Sequence, residues 1–221
     1  MTNEPTGVYS LRRVIFDNEI SNTQNIILSQ GQQALTAMCQ KIYHLYEILR
    51  SFPQLKDTYI HEDIPQTLSE ICLHQGIASS ILFNNSTKTV SENTQAYRLR
   101  LERYNYVRKF CENQSIDIKI LSNRKVRNQL VHIDDHLAKA LGKPNTGWFI
   151  DVAVAFRDQF VCPNGLELQF CRSFIVSEEV ILHLENEISV RELWDEAWFV
   201  LGVVFGIPKN KILEKPEHSL R

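Results

Sequence analysis

The chain has 221 residues, 43% of them hydrophobic, with 24 Lys+Arg against 26 Asp+Glu and a formal net charge of −2. That supports a substantial core in one domain, or in one domain with an appendage, and the near balance of charge argues against a chain that coats nucleic acid throughout. Five cysteines (Cys39, Cys72, Cys111, Cys162, Cys171) make no CxxC pair and leave an odd thiol, which argues against a disulfide framework or zinc knuckle and fits reduced thiols in a cytoplasm.

Residues 1–20 are polar and mixed and read as an irregular arm, with no basic stretch leading into an apolar run. The longest later apolar stretch, 197–206, is about half a membrane span, so a soluble, non-exported protein is expected. From 22 to 52, Leu28, Leu35, Met38, Ile42, Leu45 and Leu49 recur at helical spacing with Gly31 on the same face, and Pro53 ends a long core helix. A second helix starts at Pro65 and runs through Leu68, Ile71, Cys72, Ile77 and Ile81 to the break at Asn84 and Asn85, with Gly76 weakening its middle. A third, 91–112, mixes Leu99, Leu101, Tyr104, Tyr106, Val107 and Phe110 with arginines; aromatics at this spacing suit a core, and also stacking on bases.

The fourth helix is predicted over 122–141, stopped by Gly142 and Pro144, with Val126, Leu130, Ile133 and Leu137 as its buried stripe. Residues 148–161 then read as a strand, Pro163, Asn164 and Gly165 as a turn, and Leu166, Leu168 and Phe170 as the alternating second arm of a hairpin. Residues 180–184 add a third strand. Ser189 and Glu192, at capping-box spacing, open a last helix through Trp194 and Trp198 to Pro208. The expected fold is mainly α, a bundle of four to five helices with a small antiparallel β-hairpin or meander and a C-terminal helix. All of it lies in a single domain, 1–221, in which 147–207 is an appendage to a bundle at 22–142.

Charge is not spread evenly. Residues 98–127 hold nine Lys/Arg against three Asp/Glu, so the remainder is acidic. A basic strip on an acidic body suits a polyanion held at one place, and equally a solvated helix face. The strip leads into the fourth helix, where Arg124, Asn128, His132 and His136 repeat every four residues on one ridge, Arg127 projects to an adjacent side, and Asp134 and Asp135 lie nearby. These groups suit RNA phosphodiester cleavage. A neutral His132 can take the proton of a ribose 2′-hydroxyl, Arg127 offers a permanent planar cation to the phosphate, and Asn128 can position phosphate or imidazole. Arg124 and Lys125 are placed to hold the RNA backbone, Asp135 to orient the imidazole, and His136 to support the site.

On one helix Arg127 and His132 point about 140° apart, so a second copy related by a two-fold axis is needed to complete a site. The pair His132 and His136 also has the spacing of a helical zinc site, but Ile133 stands where a zincin has Glu and no third ligand is evident. No metal or cofactor is expected. His44, His61, His74 and His183 are isolated and read as ordinary core or surface residues.

The run NRKVRNQLVHIDDHL resembles the signature of the HEPN superfamily (higher eukaryotes and prokaryotes nucleotide-binding domain), in which an Arg and a following polar residue precede a His by four to six residues late in a helical bundle. Arg127, Asn128 and His132 match with a four-residue gap, and the resemblance covers roughly residues 22–142. It implies a metal-independent ribonuclease whose site forms between two subunits, in a toxin–antitoxin or other defence system, with an antitoxin or regulatory protein as a further partner. Val131 replaces the acidic residue that precedes the His in some members. Asp134 stands where toxins regulated by a nucleotidyltransferase carry a Tyr, so the resemblance does not extend to that regulation. The alternative is a helical dimer that recognises RNA or a protein partner without turnover, with 148–184 as the partner surface.

Overall fold

The computed structural model describes residues 21–51, 62–123, 125–131, 133–143, 146–151, 154–157 and 166–207. The expected N-terminal arm, the tail after 209, Arg124 and His132 lie outside the described residues. The chain is mainly helical with a small mixed sheet, and among the described residues no helix is long and apolar enough to cross a membrane.

Helix α1 (Asn22–Ser51) and helix α2 (Asp63–Leu82) form an antiparallel pair. The α1 face chosen by periodicity is the buried one, with Leu35, Met38, Ile42, Leu45 and Leu49 all at 0% exposure. Gly31 lets α2 come close, because a Cβ there would lie 2.6 Å from Leu82 Cδ2. At the other end Lys41 Nζ pairs with Glu70 at 2.5 Å. On α2 the predicted stripe holds except at Ile77, which is 38% exposed.

Helix α3 (Thr94–Glu112) starts later than predicted, because the Asn93 side chain accepts the Gln95 N–H and caps it. Its interior also differs. Tyr106, Val107 and Cys111 are buried as apolar groups, but so are Arg100 and Arg103. Arg100 makes a two-pronged pair with Glu92 at 2.9 Å, and Arg103 Nη1 donates to Gln24 Oε1 of α1 at 3.0 Å. Two arginines of the supposed basic strip therefore serve packing.

Helices α4 (Lys125–Val131) and α5 (Ile133–Leu141) flank residue 132. The predicted start at 122 moves to Lys125, whose N–H is accepted by Asn123 Oδ1 at 3.0 Å. Val126 is buried as expected, whereas Leu137 is only half-buried.

The predicted hairpin is replaced by parallel pairing. Strand β1 (Thr146–Asp151) runs parallel to β3 (Glu167–Cys171), with Trp148 opposite Leu168 and Asp151 opposite Cys171. Alternation fixes which face a residue occupies but not the direction of the neighbouring strand, and residues 152–166 are enough chain for a crossover. The antiparallel meander lies further on, in β4 (Ser173–Ile175), β5 (Val180–His183) and β6 (Asn186–Ser189), and β2 (Val154–Ala155) joins β4 in parallel. The predicted cap is present, with Ser189 Oγ accepting the Glu192 N–H at 3.2 Å at the start of α6 (Val190–Val203).

The region expected as an appendage shares part of the helical core, and Ala155, Phe170, Ile175, Val180 and Leu182 form a second apolar cluster of their own. Phe174, Ile181, Leu193, Trp194 and Val200 belong to the same apolar cluster as the α1 and α2 stripes. Helix α6 packs on α1 and α3, while α4 is seated against α2 on one side and β5 and β6 on another.

Candidate functional site

The turn before α4 is clamped from two directions. On one side the Glu196 carboxylate of α6 accepts the backbone N–H groups of Lys119, Ile120 and Leu121 at 2.9, 3.1 and 2.7 Å. On the other, Gln75 of α2, at 0% exposure, brings Nε2 within 3.3 Å of Ile120 O and 3.0 Å of Leu121 O, and also donates to Asn123 O. Ser79 Oγ, one turn on, donates to Ser122 O at 3.1 Å. Consecutive peptide groups thus have both donors and acceptors fixed by side chains distant in sequence, which sets where α4 begins and which way it points.

Arg127 then lies across α2. A Cβ at Gly76 would stand 2.5 Å from Arg127 Cγ, 2.9 Å from Cδ and 3.0 Å from Nε, so the aliphatic stem runs directly over the glycine. The side chain is half-buried, and its Nε is buried without a hydrogen-bond partner. Its Nη1 donates to Asn128 Oδ1 at 3.1 Å. Among the described residues no carboxylate pairs with it. Among those residues it stands as a cation beside an amide.

The other sequence-predicted residues divide clearly. Lys125, Asn128 and Asp135 are exposed, and His136 is half-buried. Arg127 and Asn128 are brought into contact; the placement of His132 and Arg124 is not described. Much of the basic strip is neutralised locally, through Arg98 with Glu102, Arg100 with Glu92, Arg108 with Glu112 and Lys119 with Asp117. A cleft of about 410 Å³ between α2, α3 and the turn has Phe83 and Tyr104 among its walls, but its one arginine, Arg108, is already paired with Glu112. Among the described residues of the strip, Arg103 and Arg127 have no carboxylate partner; Arg103 is buried against Gln24, whereas Arg127 is only half-buried.

Beneath α4 lies a buried polar group. His183 of β5 has 0% exposure, and its Nδ1 accepts the Arg172 N–H at 3.3 Å with Cys171 Sγ at 3.4 Å. That arrangement leaves the proton on Nε2, which is buried without a partner. Burial first, and then the Arg172 cation, push the imidazole down to about 4, while burial pushes the Cys171 thiol up to about 11. Arg172, at φ 49°, turns its guanidinium onto Asp151. His183 is thus a core histidine, as expected. Burial also raises the Cys111 thiol, to about 11, which keeps it protonated at neutral pH. Among the described residues no group of His, Cys, Asp and Glu is arranged to hold a metal.

Sequence reasoning missed Gly76, Gln75 and Glu196 as parts of the site. Only Gly76 left a signal, since a glycine inside an otherwise regular helix calls for a close approach. No protein-family model, curated protein or solved structure matches the chain.

Proposed function

We propose that this chain is a metal-independent endoribonuclease of HEPN type, acting as a homodimer in which each copy supplies half of a composite site. The observation that carries the reading is the Arg127 guanidinium, seated on α2, hydrogen-bonded to Asn128 and without a carboxylate partner among the described residues. A half-buried cation with no acid beside it among the described residues suits an anionic ligand, and a guanidinium matches the planar fork of phosphate oxygens.

In this reading His132 takes the proton from the ribose 2′-hydroxyl, and the resulting oxygen attacks the adjacent phosphorus. The P–O5′ bond breaks and the 5′-oxygen leaves taking up a proton from water, while His132 returns its own to solvent, giving a 2′,3′-cyclic phosphate and a 5′-hydroxyl. Arg127 stabilises the charge gathered on the phosphate, and Asn128 positions it. Lys125 and Arg124 hold the flanking backbone, Asp135 orients the imidazole, and His136 supports the ridge. RNA and a second copy are the partners. A restraining protein of antitoxin type follows from the HEPN reading, as does a role in defence.

The test is RNA cleavage by purified protein in EDTA, with end-group analysis and a mass measurement at micromolar concentration. Cyclic phosphate ends are expected, with losses on the order of 10²-fold or more in His132→Ala and in Arg127→Ala. Full activity in both variants sinks the mechanism, and a strictly monomeric active species removes the composite site. RNA binding without cleavage by the wild type would move the protein to the non-catalytic reading.

A further inference from the structure

Gly76 occupies the middle of α2, where glycine costs a helix about 1 kcal/mol relative to alanine. The residue is buried, with no backbone conformation that demands glycine there. What it provides is a gap in the surface of α2, filled by three successive atoms of one side chain, Cγ, Cδ and Nε of Arg127. The same two turns of α2 also hold the backbone that precedes α4, through Gln75 and Ser79. One short segment therefore fixes both the main chain that launches α4 and the side chain that α4 sends back.

We infer that Gly76 is a positioning residue for Arg127, a notch that sets where the guanidinium stands. The inference rests on the anion-binding role given to Arg127 above. Its physical content is steric. A methyl group at 76 must push Cγ from 2.5 Å to an ordinary contact near 3.4 Å, a displacement of about 0.9 Å at the root of the side chain. Motion at Cγ is carried to the guanidinium, breaking its register with Asn128 Oδ1, now 3.1 Å from Nη1. A catalytic group misplaced by about 1 Å loses on the order of 10²-fold in rate.

The experiment is a double-mutant cycle on the full chain with Gly76→Ala, Arg127→Ala and the double variant, read by RNA cleavage and by thermal unfolding. Gly76→Ala is expected to lower kcat by about 10²-fold with a much smaller change in KM, because the lost contact acts on charge developed in the transition state. With Arg127→Ala already present, the same alanine is expected to cost no further activity. There its effect on stability changes sign, raising Tm by about 2–4 °C, since only the helix-propensity gain remains. Gly31→Ala is the control: it crowds Leu82 and Ile81 rather than Arg127, so it is expected to lower Tm while leaving the kcat of the folded protein unchanged.

Equal losses from Gly76→Ala in both backgrounds, or wild-type kcat in Gly76→Ala, overturn the inference. If the wild type does not cleave RNA, the nuclease reading falls by itself. The notch is then judged by the affinity of a mixed-sequence 2′-O-methyl oligonucleotide and by the Tm cycle, in which a sign change supports it and additivity overturns it.

Discussion

Glu196→Ala tests whether the turn before α4 is held from α6. In the native chain one carboxylate accepts three consecutive N–H groups at 2.7–3.1 Å. On truncation Lys119 N–H, which is exposed, turns to water at little cost. Ile120 and Leu121 are less free, for Leu121 is at 0% exposure. Two partly or fully buried donors left without an acceptor cost about 1–3 kcal/mol each, so a total near 2–6 kcal/mol is expected. For a chain of this size that lowers Tm by about 4–24 °C. Glu196→Gln keeps an acceptor oxygen but loses the charge, and is expected to fall between wild type and the alanine variant. The assay is thermal and guanidinium unfolding followed by far-UV circular dichroism, with amide exchange of Ile120 and Leu121 as the local readout. A loss under about 0.5 kcal/mol, or unchanged protection of those two amides, would refute the claim that this carboxylate organises the turn.

Two further perturbations probe the support around α4. Gln75→Leu keeps the volume but removes the donor facing Ile120 O, Leu121 O and Asn123 O, and should cost about 1–3 kcal/mol in urea unfolding; a neutral result means that the carbonyls are satisfied otherwise. His183 predicts a pH dependence. Its native value is near 4 against an ordinary 6.5, so between those pH values the unfolded chain binds a proton that the native chain refuses. Stability is then full above about pH 6.5, falls as the pH drops towards 4, and loses at most about 3 kcal/mol from this group. His74, lowered chiefly by burial, acts in the same direction, whereas Glu92 and Glu178, lowered chiefly by hydrogen bonds from Arg100 and Arg157, withdraw stability only as the pH falls below the usual carboxylate range. A His183→Met chain should have a flatter stability profile between pH 6.5 and 4.5 than wild type; identical slopes in urea titrations at several pH values contradict the assignment.

Local signals suffice where one element carries its own information. The α1 stripe from Leu28 to Leu49 is buried along its length, and the Ser189 cap forms the bond its spacing required. What depends on a partner far along the chain was not legible. Leu166 to Phe170 alternate in a way that suits a parallel or an antiparallel neighbour, and the turn residues at 163–165 suggested the wrong one. Arg100 and Arg103 counted as surface charge until Glu92 and Gln24 closed on them. In the site, residue types on α4 were visible in the sequence, whereas their supports were not. Gln75 is an ordinary polar residue of an amphipathic helix, and Glu196 an ordinary acid of α6, until the turn folds between them.

Two faces of α4 are already occupied, by α2 and by the β5–β6 edge. Arg127 leaves along the first of these, pinned by Gly76, while Lys125 and Asn128 remain exposed one turn apart. In the proposed homodimer a two-fold partner would meet α4 along the Lys125–Asn128 side, which carries its exposed described residues. Asn128 would then stand at the boundary, bonded to Arg127 of its own chain and nearest the helix opposite. In that arrangement the amide does more than orient one phosphate. In the proposed composite site it would tie the Arg127 cation, held against α2, to the surface on which a second copy brings its histidine, so that half-site and dimer contact would share one residue.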